Sequence, residues 1–238
     1  MADLNVTSSM LEIPGPQCSI RAFEARPAAT GTYAAVVVIQ EWWGLNDHIK
    51  DIATRFAREG YVAIAPDLYS RQGNKVTATP DEAGQLMMNL DKKDGVADLL
   101  AVVAHLKKAS GVNGERIGVA GFCMGGSYAL LLPCHSPDIK AAAPFYGEIP
   151  PNETLKKLGC PVRYFYGDED GWIQASDVER LRTALHDFGK AGDVVIYKGV
   201  PHAFFNDTRK EVYRPEQAKD AWKRTLSLFA RELRVSDQ

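Results

Sequence analysis

Three short stretches hold side chains that could do covalent chemistry together. In GFCMGG, residues 121–126, Cys123 stands between Gly121 and Gly125 in a spacing that more often carries serine. A side chain at a sharp strand-to-helix turn of this kind is held in a strained backbone, and neighbours larger than glycine would collide with the adjacent strand or helix. The turn also sets the thiol at a helix N-terminus, whose dipole and unpaired amides favour a thiolate and can hold an oxyanion. Cys123 therefore reads as a nucleophile, and Cys18, Cys134 and Cys160 as small buried side chains. In KGVPHAFF, residues 198–205, His202 lies in a loop set by Gly199 and Pro201 and flanked by aromatic residues that exclude water. An imidazole there can take the thiol proton and return it to a leaving group, because its ordinary pKa is near neutrality. His48, His105, His135 and His186 read as structural or solvated. GDEDG, residues 167–171, supplies the carboxylate that would orient the imidazole. A G-x-x-D-x-x-[VI] spacing falls on Gly167, Asp170 and Ile173 and selects Asp170, with Asp168 in reserve and Glu169 read as part of a solvated turn.

These groups need elements to position them, and the pattern of the chain supplies strands and helices in turn. Residues 34–40 (AAVVVIQ) form an apolar β-branched run suited to a strand buried on both faces. Asn46 or Asp47 caps a helix with Ile49, Ile52, Ala53 and Phe56 at helical spacing, and Gly60 suits its end. YVAIA, residues 61–65, is a second strand closed by Pro66; residues 67–79 are polar and irregular. Thr79, Pro80 and Glu82 open a helical region that runs to about Ser110, with a break near Gly95. Residues 116–120 (RIGVA) are a strand that feeds the cysteine turn, and 127–132 continue helically until Pro133. Further strands are expected at 140–145, 161–166 and 193–197, helices at about 175–189 and 215–234, and an N-terminal edge strand at 17–24. This alternation predicts one α/β domain over residues 1–238, a mostly parallel sheet covered by helices on both faces. Ligands of such sheets sit beyond the carboxyl ends of the strands. The residues found there are Glu41, Trp42 and Trp43, then Asp67 and Arg71, then Cys123, then Tyr146 and Glu148, then Asp168 to Asp170, then His202.

Composition excludes several other classes. A formal charge of -2, with 24% charged and 45% hydrophobic residues, gives a chain that can bury a large core and has no basic surplus for a phosphate backbone, so no nucleic-acid partner is expected. No apolar run approaches the roughly 20 residues that span a bilayer, and MADLNVTSSM lacks a charged start with an apolar signal segment, which predicts a soluble cytoplasmic protein without a membrane partner. The four cysteines include no C-x-x-C pair and read as reduced thiols, with no zinc site.

In QEWWG (40–44), PDLYSRQG (66–73), GFCMGG (121–126), FYG (145–147), GDEDGWI (167–173) and PHAFFND (201–207) the chain resembles the dienelactone hydrolase family, cysteine-dependent relatives of the α/β-hydrolases, from about residue 20 to about residue 230. The resemblance implies an α/β-hydrolase fold and carries the family's catalytic triad onto Cys123, Asp170 and His202. Glu41 falls on the glutamate that pairs with the resting thiol; by its own position it is a carboxylate among apolar and aromatic groups, where burial would raise its pKa. The amides of Trp42 and Met124 are the implied oxyanion hole, and Arg71 matches an arginine that binds a substrate carboxylate. Trp43, Tyr146, Asn206 and Arg209 are expected around the substrate. Asn206 stands where members acting on dienelactone carry a second arginine, and Arg209 is the nearest basic residue; QEWWG also replaces the usual QEIFG. The implied reaction is hydrolysis of a lactone or carboxylic ester, anionic substrates included, through a thioester, with no metal or organic cofactor, by a monomer or homodimer. General carboxylesterase activity, a thiol-redox protein and a non-catalytic binding domain are the alternatives.

Overall fold

The computed structural model describes residues 4–233, and its strands form one eight-stranded, mostly parallel sheet in the order β1-β2-β4-β3-β5-β6-β7-β8. The chain divides into two compact units between Gly118 and Val119. The first contains β1 (Val6–Pro14), β2 (Ser19–Pro27), β3 (Tyr33–Ile39), α1 (Asp47–Arg58), β4 (Val62–Pro66), α2 (Pro80–Met88), α3 (Lys92–Leu106) and the start of β5 (Val112–Phe122). The β-branched run of β3 is wholly buried from Val36 to Ile39 and pairs in parallel with β4. Asn46 caps α1 by accepting from Ile49 N at 3.2 Å, and the buried stripe Ile49, Ile52 and Phe56 packs the helix on β2, β3 and β4.

Two expectations for this unit are corrected. The strand read at 17–24 is β2, which is not an edge: it pairs antiparallel with β4 on one side and with β1 on the other. The edge on this side of the sheet is β1, whose side chains are mostly exposed, so its residues carry little of the buried alternation by which strands are recognised. The helical region from Pro80 breaks at Asn89–Asp91, not near Gly95. Asp91 caps α3 by accepting from Lys93 N at 2.7 Å, and this capping bond decides the boundary while Gly95 is buried inside the helix.

The second unit holds the end of β5, α4 (Met124–Leu131), β6 (Ile139–Phe145), α5 (Asn152–Leu155), β7 (Val162–Glu169), α6 (Ala175–Asp187), β8 (Gly192–Pro201) and α7 (Pro215–Leu233). The strands β6, β7 and β8 run parallel. A stack of aromatic rings ties β5, β6 and β7 together: Phe122 on Phe145 at 4.6 Å and Phe145 on Phe165 at 4.4 Å between centroids. Helix α4 packs on β6, α7 on β6 and β7, and α6 on β8. The four-residue α5 has no counterpart in the sequence reading, and β7 and β8 both run further than the apolar runs that announce them. Residue 234, the expected end of α7, and residues 1–3 of the N-terminal stretch lie outside the described residues. Among the described residues no helix is long and apolar enough to cross a membrane.

Candidate active site

Cys123 is the single residue between the end of β5 and the start of α4, and its backbone takes φ 55° and ψ -120°. Its amide donates to Phe145 O at 3.1 Å while its carbonyl accepts from Ser127 N at 3.2 Å, so one hydrogen bond ties the residue to β6 and the next starts the helix. A positive φ at a residue with a side chain costs on the order of 1–3 kcal/mol and persists only where surrounding contacts impose it. Here it is imposed by close packing of α4 on β6: a Cβ on Gly126 would collide with the Phe145 carbonyl oxygen, and one on Gly147 with the Gly126 backbone. Tyr146, just after β6, has φ 39°, and Ala203, just after β8, has φ 61°. Strained residues thus follow three strands of this unit, and the thiol is one of them, 7% exposed.

Asp170 follows β7 with its side chain fully buried. Its Oδ1 accepts from the amides of Trp172 at 2.8 Å and Ile173 at 2.9 Å, and its Oδ2 meets His202 Nδ1 at 2.7 Å. The remaining ring nitrogen, Nε2, is left to hydrogen-bond the thiol of Cys123. Burial works against an imidazolium at His202, but the hydrogen bonds to Asp170 and Cys123 and the charges of both partners overcome it and push its pKa up to about 10. Asp168 is engaged elsewhere, since it lies within β7 and its Oδ1 accepts from Gly199 N of β8 at 2.6 Å. Glu169, read as part of a solvated turn, is exposed but is the last residue of β7.

The ring of His202 is held edge-on by two aromatics, Tyr146 at 4.9 Å and Trp172 at 5.4 Å. Tyr146 is fully buried, whereas Trp172 is 40% exposed. Sequence reasoning missed Trp172 as a site residue, although it sits two residues after Asp170 inside the GDEDGWI motif. Asn206 is buried and spends its Oδ1 on Thr208, accepting from N at 3.1 Å and from Oγ1 at 2.6 Å. Arg209 reaches Glu211 Oε1 through Nε at 2.9 Å. Within this unit the structure brings Cys123, Tyr146, Asp170 and His202 together, with Met124 starting the helix beside the thiol, and engages Asn206 and Arg209 in their own turn. Of the other thiols, Cys134 points at Leu130 O, 3.4 Å away; burial pushes its pKa to about 11 and that of Cys160 to about 12.

The remaining candidates lie in the first unit. Glu41, 1% exposed, follows β3 in a turn closed by Gly44 at φ 92°. The rings of Trp42 and Trp43 meet edge to face at 4.9 Å, Tyr69 Oη donates to Trp42 O at 2.9 Å, and Thr77 N donates to Trp43 O at 3.0 Å, which fixes the turn from both sides. Arg71 stands in a short 3-10 turn, Ser70–Gln72. Its fork is filled: Nε and Nη2 grip Asp98 Oδ2 and Oδ1 at 3.1 and 2.5 Å, while Nη1 donates to Gln17 Oε1 and lies 3.5 Å from Asp94 Oδ2. Asp98 is 2% exposed on α3, and sequence reasoning missed it. The available signal was an acid at a core-facing position among Val96, Leu99 and Val102, where a carboxylate requires a cation.

The sequence model of the Dienelactone hydrolase family matches residues 20–233 of this chain. A "Putative carboxymethylenebutenolidase" of Synechocystis sp. is 35% identical over 246 residues, covering 97% of this chain and 99% of its own length. The crystal structure of a "Putative Dienelactone Hydrolase" from Klebsiella pneumoniae is similar with a TM-score of 0.89 at 34% identity, over 95% of this chain and 99% of that one. An esterase of Pyrobaculum calidifontis shares the fold at a TM-score of 0.70 and 16% identity, over 96% of this chain and 85% of that one.

Proposed function

The chain belongs to the dienelactone hydrolase family, and from that premise we propose that it hydrolyses a lactone or carboxylic ester through a thioester on Cys123. The observation that carries this reading is the chain of contacts from Asp170 through both nitrogens of His202 to the thiol. His202 Nε2 takes the thiol proton, and the sulfur attacks the acyl carbon. The resulting oxyanion is stabilised by the amides of Met124 and Trp42, the roles implied for them by family membership. Collapse breaks the acyl C–O bond; the leaving oxygen takes the proton from His202, and in a lactone it stays tethered to the acyl chain. His202 then accepts a proton from water, whose oxygen attacks the thioester, and the acid and the free thiol are released. Asp170 holds the ring tautomer and stabilises the imidazolium in both halves. Glu41 is proposed to favour thiol deprotonation, as its family position implies.

Intact-mass spectrometry during turnover of an aryl ester or an enol lactone tests this directly. The expected result is an acyl adduct on Cys123 and a loss of roughly 10²–10⁴-fold in kcat/KM for His202→Ala. Unchanged hydrolysis in both Cys123→Ser and His202→Ala would refute the mechanism.

A further inference from the structure

We propose that Arg180, on α6, is a positioning residue for the reaction proposed above: it holds the segment 146–152 so that Tyr146 keeps its edge-on contact with His202. The inference rests on the hydrolase reading and adds to it a residue that acts through Tyr146, not on the substrate. Tyr146 has φ 39°, a left-handed backbone that a residue with a side chain keeps only where its surroundings impose it. The residues from 146 onward are tied down one after another. Tyr146 N donates to Phe165 O at 2.8 Å, Tyr164 Oη donates to Gly147 O at 2.5 Å, and Glu148 N donates to Ser127 Oγ at 2.8 Å. The next two carbonyls belong to Arg180, whose Nη2 donates to Ile149 O at 3.0 Å and whose Nη1 donates to Pro150 O at 2.8 Å and to Asn152 Oδ1 at 3.2 Å. Asp177, one turn earlier on α6, accepts from Nη2 at 3.3 Å and keeps the guanidinium oriented. The start of the segment is thus held by β7 and α4, and its end by α6.

The Asp170 loop runs into the same helix: Asp170 Oδ1 accepts from Ile173 N at 2.9 Å, Tyr166 Oη donates to Ile173 O at 3.3 Å, and α6 begins at Ala175. One side chain therefore ties the segment that presents Tyr146 to the helix that follows Asp170. His202 touches both, with Tyr146 at 4.9 Å between ring centroids and Asp170 Oδ2 at 2.7 Å from Nδ1. Two successive carbonyls are met by two prongs of a planar fork, which the single nitrogen of a lysine does not reproduce. Without that clamp the Tyr146 ring is freed to move, and the imidazole loses a wall that fixes its angle to the thiol. A displacement of about 1 Å at a reacting group is enough to lower a rate by up to about 10²-fold.

The test compares Arg180→Met, which keeps the stem and removes the donors, with Arg180→Lys, which keeps the charge on one nitrogen. Steady-state hydrolysis of an aryl ester gives kcat and KM. The Hε1 proton resonance of His202, assigned by its loss in His202→Gln, reports the ring current of Tyr146, and thermal denaturation records any stability lost. In Arg180→Met, kcat is expected to fall by about 10–10²-fold with KM little changed, and the His202 resonance to move. Arg180→Lys is expected to restore part of both. A role confined to stability would lower the melting temperature and leave kcat and the resonance of the folded variant where they were. An unchanged kcat or an unmoved resonance would therefore overturn the inference. Where Arg180→Met does not fold, Arg180→Lys decides by the same two readings. Absence of turnover by the wild type, with no acyl adduct on Cys123, would overturn the hydrolase reading itself and the inference with it.

Discussion

His202 is acted on at both ring nitrogens, and its elevated pKa follows from that arrangement. Asp170→Asn removes a charge without removing bulk, so it should lower kcat/KM by roughly 10²–10⁴-fold. It should also move the alkaline limb of the pH-rate profile to lower pH, because the imidazolium proposed to protonate the leaving oxygen loses its counter-charge. A profile with its alkaline limb unmoved would show that Asp170 does not set the charge on the ring. Trp172→Ala should raise KM for aryl esters several-fold more than for acetyl esters, with Trp172→Phe restoring most of the difference; steady-state kinetics on the two ester types reads this out. Residues differ in how far the sequence announces them. The strained turn that holds Cys123 and the loop that turns Asp170 onto His202 were legible because a turn and a loop have fixed spacings. The filled fork of Arg71 was not, because its partner Asp98 lies 27 residues away on a helix and only the fold joins them.

At the scale of elements, strands with continuous β-branched burial were legible from the chain, as β3 and β4 show. What escaped were elements whose residues are exposed or whose ends are fixed by single hydrogen bonds, such as β1 and the start of α3 at Asp91. The turn between β5 and α4 shows how closely elements approach where the chemistry is proposed. Gly126→Ala should push α4 away from β6 and destabilise the protein by about 1–3 kcal/mol, the usual cost of overpacking. Gly84→Ala, in α2 where nothing lies within 4 Å of the added carbon, should instead stabilise by about 0.5–1 kcal/mol. Thermal denaturation of the two variants side by side separates a packing cost from a helix-propensity gain.

For the whole molecule, buried Asp67 and partly buried His202 predict how stability depends on pH. Burial raises the pKa of Asp67 to about 6, against a smaller opposing effect from the Tyr69 amide. Unfolded, it would ionise near 4, so between about 4 and about 6 the folded chain holds the extra proton, and stability falls as pH rises through that window, by up to about 3 kcal/mol. In Asp67→Asn this loss should be absent, which urea unfolding at pH 4.5 and 7.5 would detect. The pKa of His202 is also raised, and the sense is the same: the stability from its partners is complete below about 6.5 and is lost as pH rises through about 10. Asp170→Asn should therefore flatten the decline in stability between about pH 6.5 and pH 10. The buried thiols bear on a practical matter of a different kind. With Cys134 and Cys160 held protonated far above neutrality, and the pKa of Cys18 raised first by burial, an alkylating reagent at pH 7 has few thiolates to find. If Cys123 is the nucleophile, one equivalent of label per chain should abolish activity, so the same titration would count working enzyme in any preparation.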